Sequence, residues 1–579
     1  MVASNPLPAS YSTDPDVKAT APNGAVGHRD LVAHTARLER KLWHVAEGVW
    51  CLVGNGLSNQ TFVEGPDGLI VIDTGESNQE MAAALTEVRE HTSAPIVATI
   101  YTHSHYVGGT EALYDAGAPA DMPIWGHAGI VANRQAYGTV LSAMAGRGLV
   151  HQFGISLPPE GPDALVNVGL GLSYRSPDHA PFTVGFVPPT ETFSEPVNTT
   201  IAGLRVEMTP APSDSDDSVT IWFPDLGVCV HNIVWPTLFN VFAIRGEIYR
   251  DPQVLLPGID HIIDLGAEHL VCAHGPPMSG ADQIRESATG YRDSIQFLWD
   301  QTVRGINRGL STDELTSFVQ LPDHFGERWL TRQWYGLAEH HVRQIHNGLR
   351  GWFDSDETKL LPLPPVERCR RLVEGFGGAD EVRRQATVAL DDLDLRWALE
   401  LAGWLVRLET DDRGRADAGT AEDRRLLAAV LREIAQRTTA SNIRDWCLTR
   451  ALELEGELDL SRHRTHRFAA GAVMSAGPSG TIQALRVLLD PVAAGRRDDH
   501  LRFVVGDETC GLRLRNSVAV PTDGAEADIE VQLDHATLAA IMANKTTLSS
   551  ELASGSVRTS SPDAVAAFLA CFDHAGLRG

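Results

Sequence analysis

Long apolar runs are missing from this 579-residue chain. No stretch reaches ~18 uninterrupted apolar residues, so no membrane span is expected. Cysteine is scarce. The seven residues (Cys51, Cys229, Cys272, Cys369, Cys447, Cys510 and Cys571) are odd in number and form no CxxC or CxC pair. That pattern argues for reduced, buried thiols and against a disulfide framework. Positive charge is in deficit, with 48 Lys and Arg against 75 Asp and Glu and a net charge of −27. Such a surface repels polyanions, so nucleic acid and membrane surfaces are not expected partners. A small anionic substrate is still allowed, because a local pocket can be positive on a negative protein. Residues 1–30 lack both a basic start and an apolar core. They are rich in Pro, Ala, Ser and Thr and read as a disordered tail, not a signal peptide, with a cytoplasmic location expected.

What the chain does have is 43% hydrophobic residues, enough for sizeable cores over three to four domains at roughly 150 residues each. Three textures follow one another. From 31 to 286, short β-rich runs alternate with glycine turns and a few helical patterns. Runs such as Leu69-Ile70-Val71-Ile72 are apolar on both faces, as in strands buried between layers, which predicts an α/β sandwich. From 287 to 458, apolar residues recur every three or four positions, as in Asp380–Leu390, Leu395–Leu408 and Ala421–Gln436. Ser311-Thr312-Asp313-Glu314 is a helix start with a cap and an acidic first turn. From 459 to 579, strand-like runs (Leu501–Val505, Gly511–Arg515, Ile529–Leu533) mix with short helices, predicting a small α+β domain.

The chemistry concentrates at strand ends. The run Ile100 to Tyr101 leads into His103-Ser104-His105 and then Gly108-Gly109. Two imidazoles two residues apart, where the backbone leaves regular geometry, can converge on one cation. Alone, His-x-His is a weak signal, and the pair could merely cap the next helix. Two further strand ends strengthen it: Val71-Ile72-Asp73 and Val271-Cys272-Ala273-His274.

Strand–Asp, strand–HxH–GG and strand–His, in that order, resemble the metallo-β-lactamase superfamily. Gly56 to Gly65, Asn240-Val241-Phe242-Ala243-Ile244-Arg245-Gly246 with Arg250-Asp251, and His274-Gly275-Pro276-Pro277 narrow the resemblance to its alkylsulfatase branch. The middle block is similar to that branch's dimerisation domain, through Tyr335-Gly336, Gly351-Trp352-Phe353-Asp354 and Leu361-Pro362-Leu363-Pro364-Pro365. The last block looks like a sterol-carrier-protein-2-like module. The resemblance thus implies a metallo-β-lactamase αββα sandwich, an all-α dimerisation domain and a small α+β sterol-carrier-like domain, assembled as a homodimer through the helical block.

The metal site departs from that family. Its pattern, His-x-His-x-Asp-His, serves two zinc ions, whereas here Tyr106-Val107-Gly108-Gly109 follows His105 directly. By the resemblance, the first glutamate ligand falls on Asp214 and the bridging glutamate on Asn232, beside His231. The last histidine ligand falls on His274. The resulting expectation is one divalent metal on His103, His105 and Asp214, with His274, His231 or Asn232 nearby. Zinc comes first and iron is the alternative, because two imidazoles and one carboxylate suit either. A second metal held by substitutes, or a metal-free site, stays open. Resemblance also places Asn240 and Arg245 at the anionic head group, with Arg245 as a planar clamp and one donor lost at Ala243. The bland reading of Arg245 is a pair with Glu247, and that of Asp214 to Asp217 is a solvated loop.

Three functions compete. The first is a hydrolase of a sulfate ester, or a related anionic ester, with an apolar tail. In it the metal activates water, Arg245 and Asn240 bind the anion, and His274 or His231 serves the leaving group. The second is a mononuclear iron redox or lyase enzyme of specialised metabolism. The third is a non-catalytic dimeric binder of alkyl ligands.

Overall fold

The computed structural model describes residues 8–138, 142–412, 414–464, 466 and 468–578. They form two compact units, one of residues 8–131 and 148–459 and a second of 132–147 and 460–578.

In the first unit, two sheets lie face to face. One has seven strands in the order 41–46, 49–53, 60–65, 68–72, 96–100, 124–127 and 191–193. The other has six, in the order 197–201, 204–210, 219–223, 228–231, 269–272 and 278–279. Alternation along each strand builds two buried layers. Val49, Cys51, Val63, Ile70 and Ile72 join Val206, Met208, Ile221, Val230 and Val271 between the sheets. Trp50, Leu52, Phe62, Leu69 and Val71 point the other way, onto Met81, Ala84 and Leu85 of the helix Asn78–Val88. Cys229, Leu270 and Cys272 pack outwards with Leu255 and Ile259 of the helix Pro252–Leu265. This is the αββα sandwich that the resemblance implied, and the doubly apolar run Leu69–Ile72 forms a fully buried strand within it.

The helix Ala281–Ile306 runs straight through the expected boundary at 286/287. Its Ile284, Ala288, Tyr291 and Ile295 belong to the cluster covering the second sheet. The change of texture in the sequence marks a change of secondary structure, not of packing partner. Beyond it the helices Ala379–Asp391, Leu395–Val406, Ala421–Arg437 and Ser441–Glu455 pack on one another as expected. Ser311 closes a capping box with Glu314 at the start of Thr312–Phe318.

The expected disordered tail is corrected over residues 8–30. Lys18–Thr20 pairs antiparallel with Val26–His28, and Val17 and Ala25 are buried. Lys18 Nζ donates to Glu433 Oε2 at 2.7 Å, and Arg437 Nη1 donates to the carbonyls of Ser12 (3.2 Å) and Asp14 (2.9 Å). The fully buried Arg444 donates to Val26 O at 3.0 Å. The segment has few apolar residues of its own and is ordered by polar partners some 400 positions away. Residues 1–7 lie outside the described residues.

The second unit holds a five-stranded sheet, order 518–522, 508–515, 499–505, 529–533 and 558–559, packed against helices that include His535–Met542 and Pro562–Leu569. This is the expected α+β composition. Among the described residues no helix is long and apolar enough to cross a membrane.

Candidate metal centre

The sandwich collects its polar residues at the C-terminal ends of its parallel strands. Gly68–Ile72 lies parallel to Ile96–Ile100, and Val228–His231 lies parallel to His269–Cys272. Asp73, Thr102-His103, His231 and His274 therefore emerge on the same edges, while Asp214 sits on the turn between Leu204–Pro210 and Val219–Phe223. Gly108 and Gly109 let the histidine loop lie against 74–77. A Cβ on Gly109 would sit 2.3 Å from Thr74 O, and one on Gly108 2.5 Å from Glu76 O. Their role is close backbone approach, sealed by Thr74 N–H to Tyr106 O (2.8 Å) and Gly108 N–H to Gly75 O (2.8 Å).

The ligand atoms of His103, His105 and Asp214 lie within 4.8 Å of one another, so the predicted trio does converge. Hydrogen bonding fixes how His103 faces it. Asp73, at φ 57°, accepts from Thr102 N (2.8 Å) and from the Thr102 hydroxyl (2.5 Å). That hydroxyl has spent its proton, so at 2.9 Å from His103 Nδ1 it accepts the ring's N–H. In the neutral ring His103 Nε2 then presents its lone pair. It is buried, has no hydrogen-bond partner and points at Asp214 Oδ2 from 3.6 Å. Two electron-rich buried atoms facing each other call for a cation between them. His105 Nδ1 lies 2.7 Å from the same oxygen. Burial opposes a charge on His105, but the Asp214 carboxylate outweighs burial and raises its pKa. His105 is also the one partly exposed member of the trio, leaving an open side.

Asp214 is gripped from behind. Arg250 Nη2 bonds Asp214 Oδ1, its Nε donates to Asp214 O at 3.0 Å, and its Nη1 donates to Asn240 O at 2.8 Å. Burial pushes the Asp214 carboxyl up, yet Arg250 and His105 together hold it well below the usual carboxylate range. One oxygen is thus committed to Arg250 and the other is left for the histidines. Asp217 is fully buried and accepts from Ser104 N at 3.3 Å, so the acidic run is not a solvated loop.

The other expected residues fall differently. His274 stands outside the trio. Its Nδ1–H donates to Leu57 O at 3.0 Å, so its Nε2 accepts from the Tyr106 hydroxyl at 3.3 Å. Burial lowers its pKa to about 4 and raises that of Tyr106 well above the ordinary value, so both are neutral. His231 Nδ1 accepts from Ile233 N (3.0 Å) and Val234 N (3.3 Å), which leaves its buried Nε2–H without a partner. Burial lowers its pKa to about 3. Both side-chain atoms of Asn232 are buried and unpartnered.

Arg245 is not a free clamp. Its Nη2 pairs with Glu247, and Glu247 also accepts from Arg250 at 3.0 Å. A buried chain Arg245–Glu247–Arg250–Asp214 of alternating charge results. Asn240, by contrast, is poised: its side-chain Oδ1 and Nδ2 are buried and unpartnered. Facing it is His341, whose Nδ1 accepts from Phe242 N at 3.2 Å and whose Nε2–H is therefore a free donor. Gly336 lets both side chains pack against the backbone, since a Cβ there would lie 2.4 Å from Asn240 Oδ1 and 2.9 Å from His341 Cε1. His341, Arg250 and Glu247 had no metal or catalytic role in the sequence reading. Arg250 and Gly336 stood only inside quoted motifs, and nothing marked the histidine on the helix Ala338–Arg350.

A histidine pair and an aspartate at the strand ends of an αββα sandwich define a metallo-β-lactamase-type metalloenzyme, and a Metallo-beta-lactamase superfamily model matches residues 53–231. Alkyl sulfatase dimerisation and Alkyl sulfatase C-terminal models match 311–457 and 470–577. A linear primary-alkylsulfatase from Pseudomonas sp. is 32% identical over 531 residues, covering 88% of this chain and 98% of that protein. An (R)-specific secondary-alkylsulfatase from Pseudomonas sp. is 28% identical over 553 residues, covering 91% and 80%. The solved structure of the stereoselective inverting sec-alkylsulfatase Pisa1, also from Pseudomonas sp., superposes with a TM-score of 0.80 at 26% identity, over 92% of this chain and 84% of that one. The chain belongs to the alkylsulfatase family of metal-dependent hydrolases.

Proposed function

We propose that this protein hydrolyses the sulfate monoester of an apolar alcohol, using one divalent cation held by His103 Nε2, His105 Nδ1 and Asp214 Oδ2. The observation that carries the reading is the convergence of His103, His105 and Asp214, with a buried His103 Nε2 that has no hydrogen-bond partner 3.6 Å from Asp214 Oδ2. A cation bound there supplies acidity to water and polarises an anionic oxygen. The chain's own residues do the rest. Arg250 keeps Asp214 ionised and turned towards the histidines. Asn240 Nδ2 and His341 Nε2–H, both buried and unpartnered, are donors for a sulfate oxygen. Arg245, already neutralised by Glu247, contributes orientation more than free charge. Tyr106 and His274 form a neutral pair at the margin of the site that can position the leaving group.

Zinc is the first choice of metal. The same 2-His-1-carboxylate set also suits iron, which is the specific support for an oxygen-dependent reaction as a second reading. Metal analysis of protein purified without chelator, with sulfate release from dodecyl sulfate, separates the two. One zinc with sulfate release supports the hydrolase, whereas one iron with oxygen-dependent turnover supports the rival. The three matched segments also support a division into catalytic, dimerising and C-terminal parts and a homodimer.

A further inference from the structure

One buried hydroxyl close to the charges of the site carries a proton that nothing accepts. Gln152, fully buried at the end of the helix Ser142–Gln152, defines it. Its Oε1 accepts from the backbone N–H of Arg245 at 3.2 Å. A backbone N–H can only donate, so the other end of that amide is Nε2. This Nε2 donates to the Tyr335 hydroxyl oxygen at 2.7 Å. The hydroxyl is thus an acceptor towards Gln152, and its own O–H has no acceptor among the described residues. Burial raises the pKa of this phenol and keeps its proton in place. The charges it feels are those of Arg245, Asp214, Arg250 and Glu247, the buried chain that ends at the metal trio.

The ring is held on several sides. Tyr335 O accepts from Asn442 N at 3.1 Å, and the ring meets Trp235 edge-on at 6.2 Å and Phe153 at 6.3 Å. The loop that carries Arg245 is pressed onto the same helix as Gln152, since a Cβ on Gly148 would sit 2.3 Å from Arg245 O. The next residue, Gly336, lies against Asn240 Oδ1 and the His341 ring, so one dipeptide borders three unspent donors. Buried donors without acceptors are costly, and an anion with several oxygens satisfies them together. We propose that the Tyr335 hydroxyl is a third donor to the sulfate group, beside Asn240 Nδ2 and His341 Nε2–H. It lends a hydrogen bond and transfers no proton. Tyr335 lies within 311–457, so the segment that matches the Alkyl sulfatase dimerisation model also completes the site. The inference rests on the hydrolase reading above and deepens it.

The test is hydrolysis of dodecyl sulfate, and its competitive inhibition by inorganic sulfate, on metal-loaded full-length protein. Tyr335→Phe keeps the ring and its packing and removes the hydroxyl alone. It should lower kcat/KM on the order of a hundredfold and raise the sulfate inhibition constant about tenfold, with metal content and far-UV circular dichroism unchanged. Gln152→Leu leaves the hydroxyl but frees its direction, so it should act the same way and less strongly. A wild type that releases no sulfate overturns the hydrolase reading and this inference with it. An active wild type with both constants unchanged in Tyr335→Phe overturns the Tyr335 assignment alone. Lower turnover with unchanged sulfate inhibition, or a larger loss in Gln152→Leu than in Tyr335→Phe, also overturns it, because Tyr335 would then only brace the Arg245 loop.

Discussion

Two histidine corners of the sandwich make an instructive pair. His103 and His274 both leave the C-terminal end of a parallel strand, both are fully buried, and both have Nδ1 engaged as a donor. They differ in what meets Nε2. At His274 the Tyr106 hydroxyl supplies a proton and the corner is complete without an ion. At His103 the facing group is the Asp214 carboxylate, whose charge Arg250 maintains, and the 3.6 Å between them holds no hydrogen bond. The same place in the fold thus gives two different surroundings, one closed by a hydroxyl and one facing a carboxylate.

The largest expected effect breaks the first corner. His103→Ala should strip the metal and lower sulfate release by at least ~10³-fold, checked by metal analysis and turnover. Arg250→Met comes next: it frees Asp214 to rotate and leaves it buried beside Glu247. Metal affinity should fall about 10–100-fold, as for loss of an outer-shell partner, measured by chelator competition on folded protein. The second corner should respond less. Tyr106→Phe leaves His274 Nε2 unpartnered and should cost about 1–3 kcal/mol of stability in denaturant titrations, with metal content unchanged. Loss of the metal in that variant would break the comparison.

The smallest effect asks whether burial, which keeps His274 neutral, acts alike away from the site. Glu80 is buried against Gln60 and Glu76, and burial raises its pKa from 4.5 to about 8. The folded chain thus keeps a proton that the unfolded chain has already released. Stability attributable to Glu80 should fall as pH rises from about 5 to about 8 and stay flat above that. Glu80→Gln should flatten that slope in thermal unfolding between pH 5.5 and 8.5. An unchanged slope would contradict the assignment.

These contrasts also show what a one-dimensional reading can hold. The doubly apolar strands, the capped helices and the His-x-His loop are local patterns, and each was legible: Leu69–Ile72, Ser311 and His103 all stand where expected. Asp214 was legible only through resemblance. Its environment was not, because Arg250 lies 36 residues further on and its grip is purely spatial. His341 was invisible for the same reason: it reaches Asn240 from a helix a hundred positions downstream, across a glycine. The Tyr106 hydroxyl that meets His274 Nε2 could not be read from order alone. The expected tail failed on non-local anchors such as Glu433 and Arg437.

Metal stoichiometry of wild type, His103→Ala and His274→Ala, purified in parallel without chelator, tests the central claim most directly. The account predicts about one equivalent of divalent metal in wild type, none in His103→Ala, and nearly the wild-type amount in His274→Ala. Two equivalents in wild type, or an empty site in His274→Ala, would contradict it.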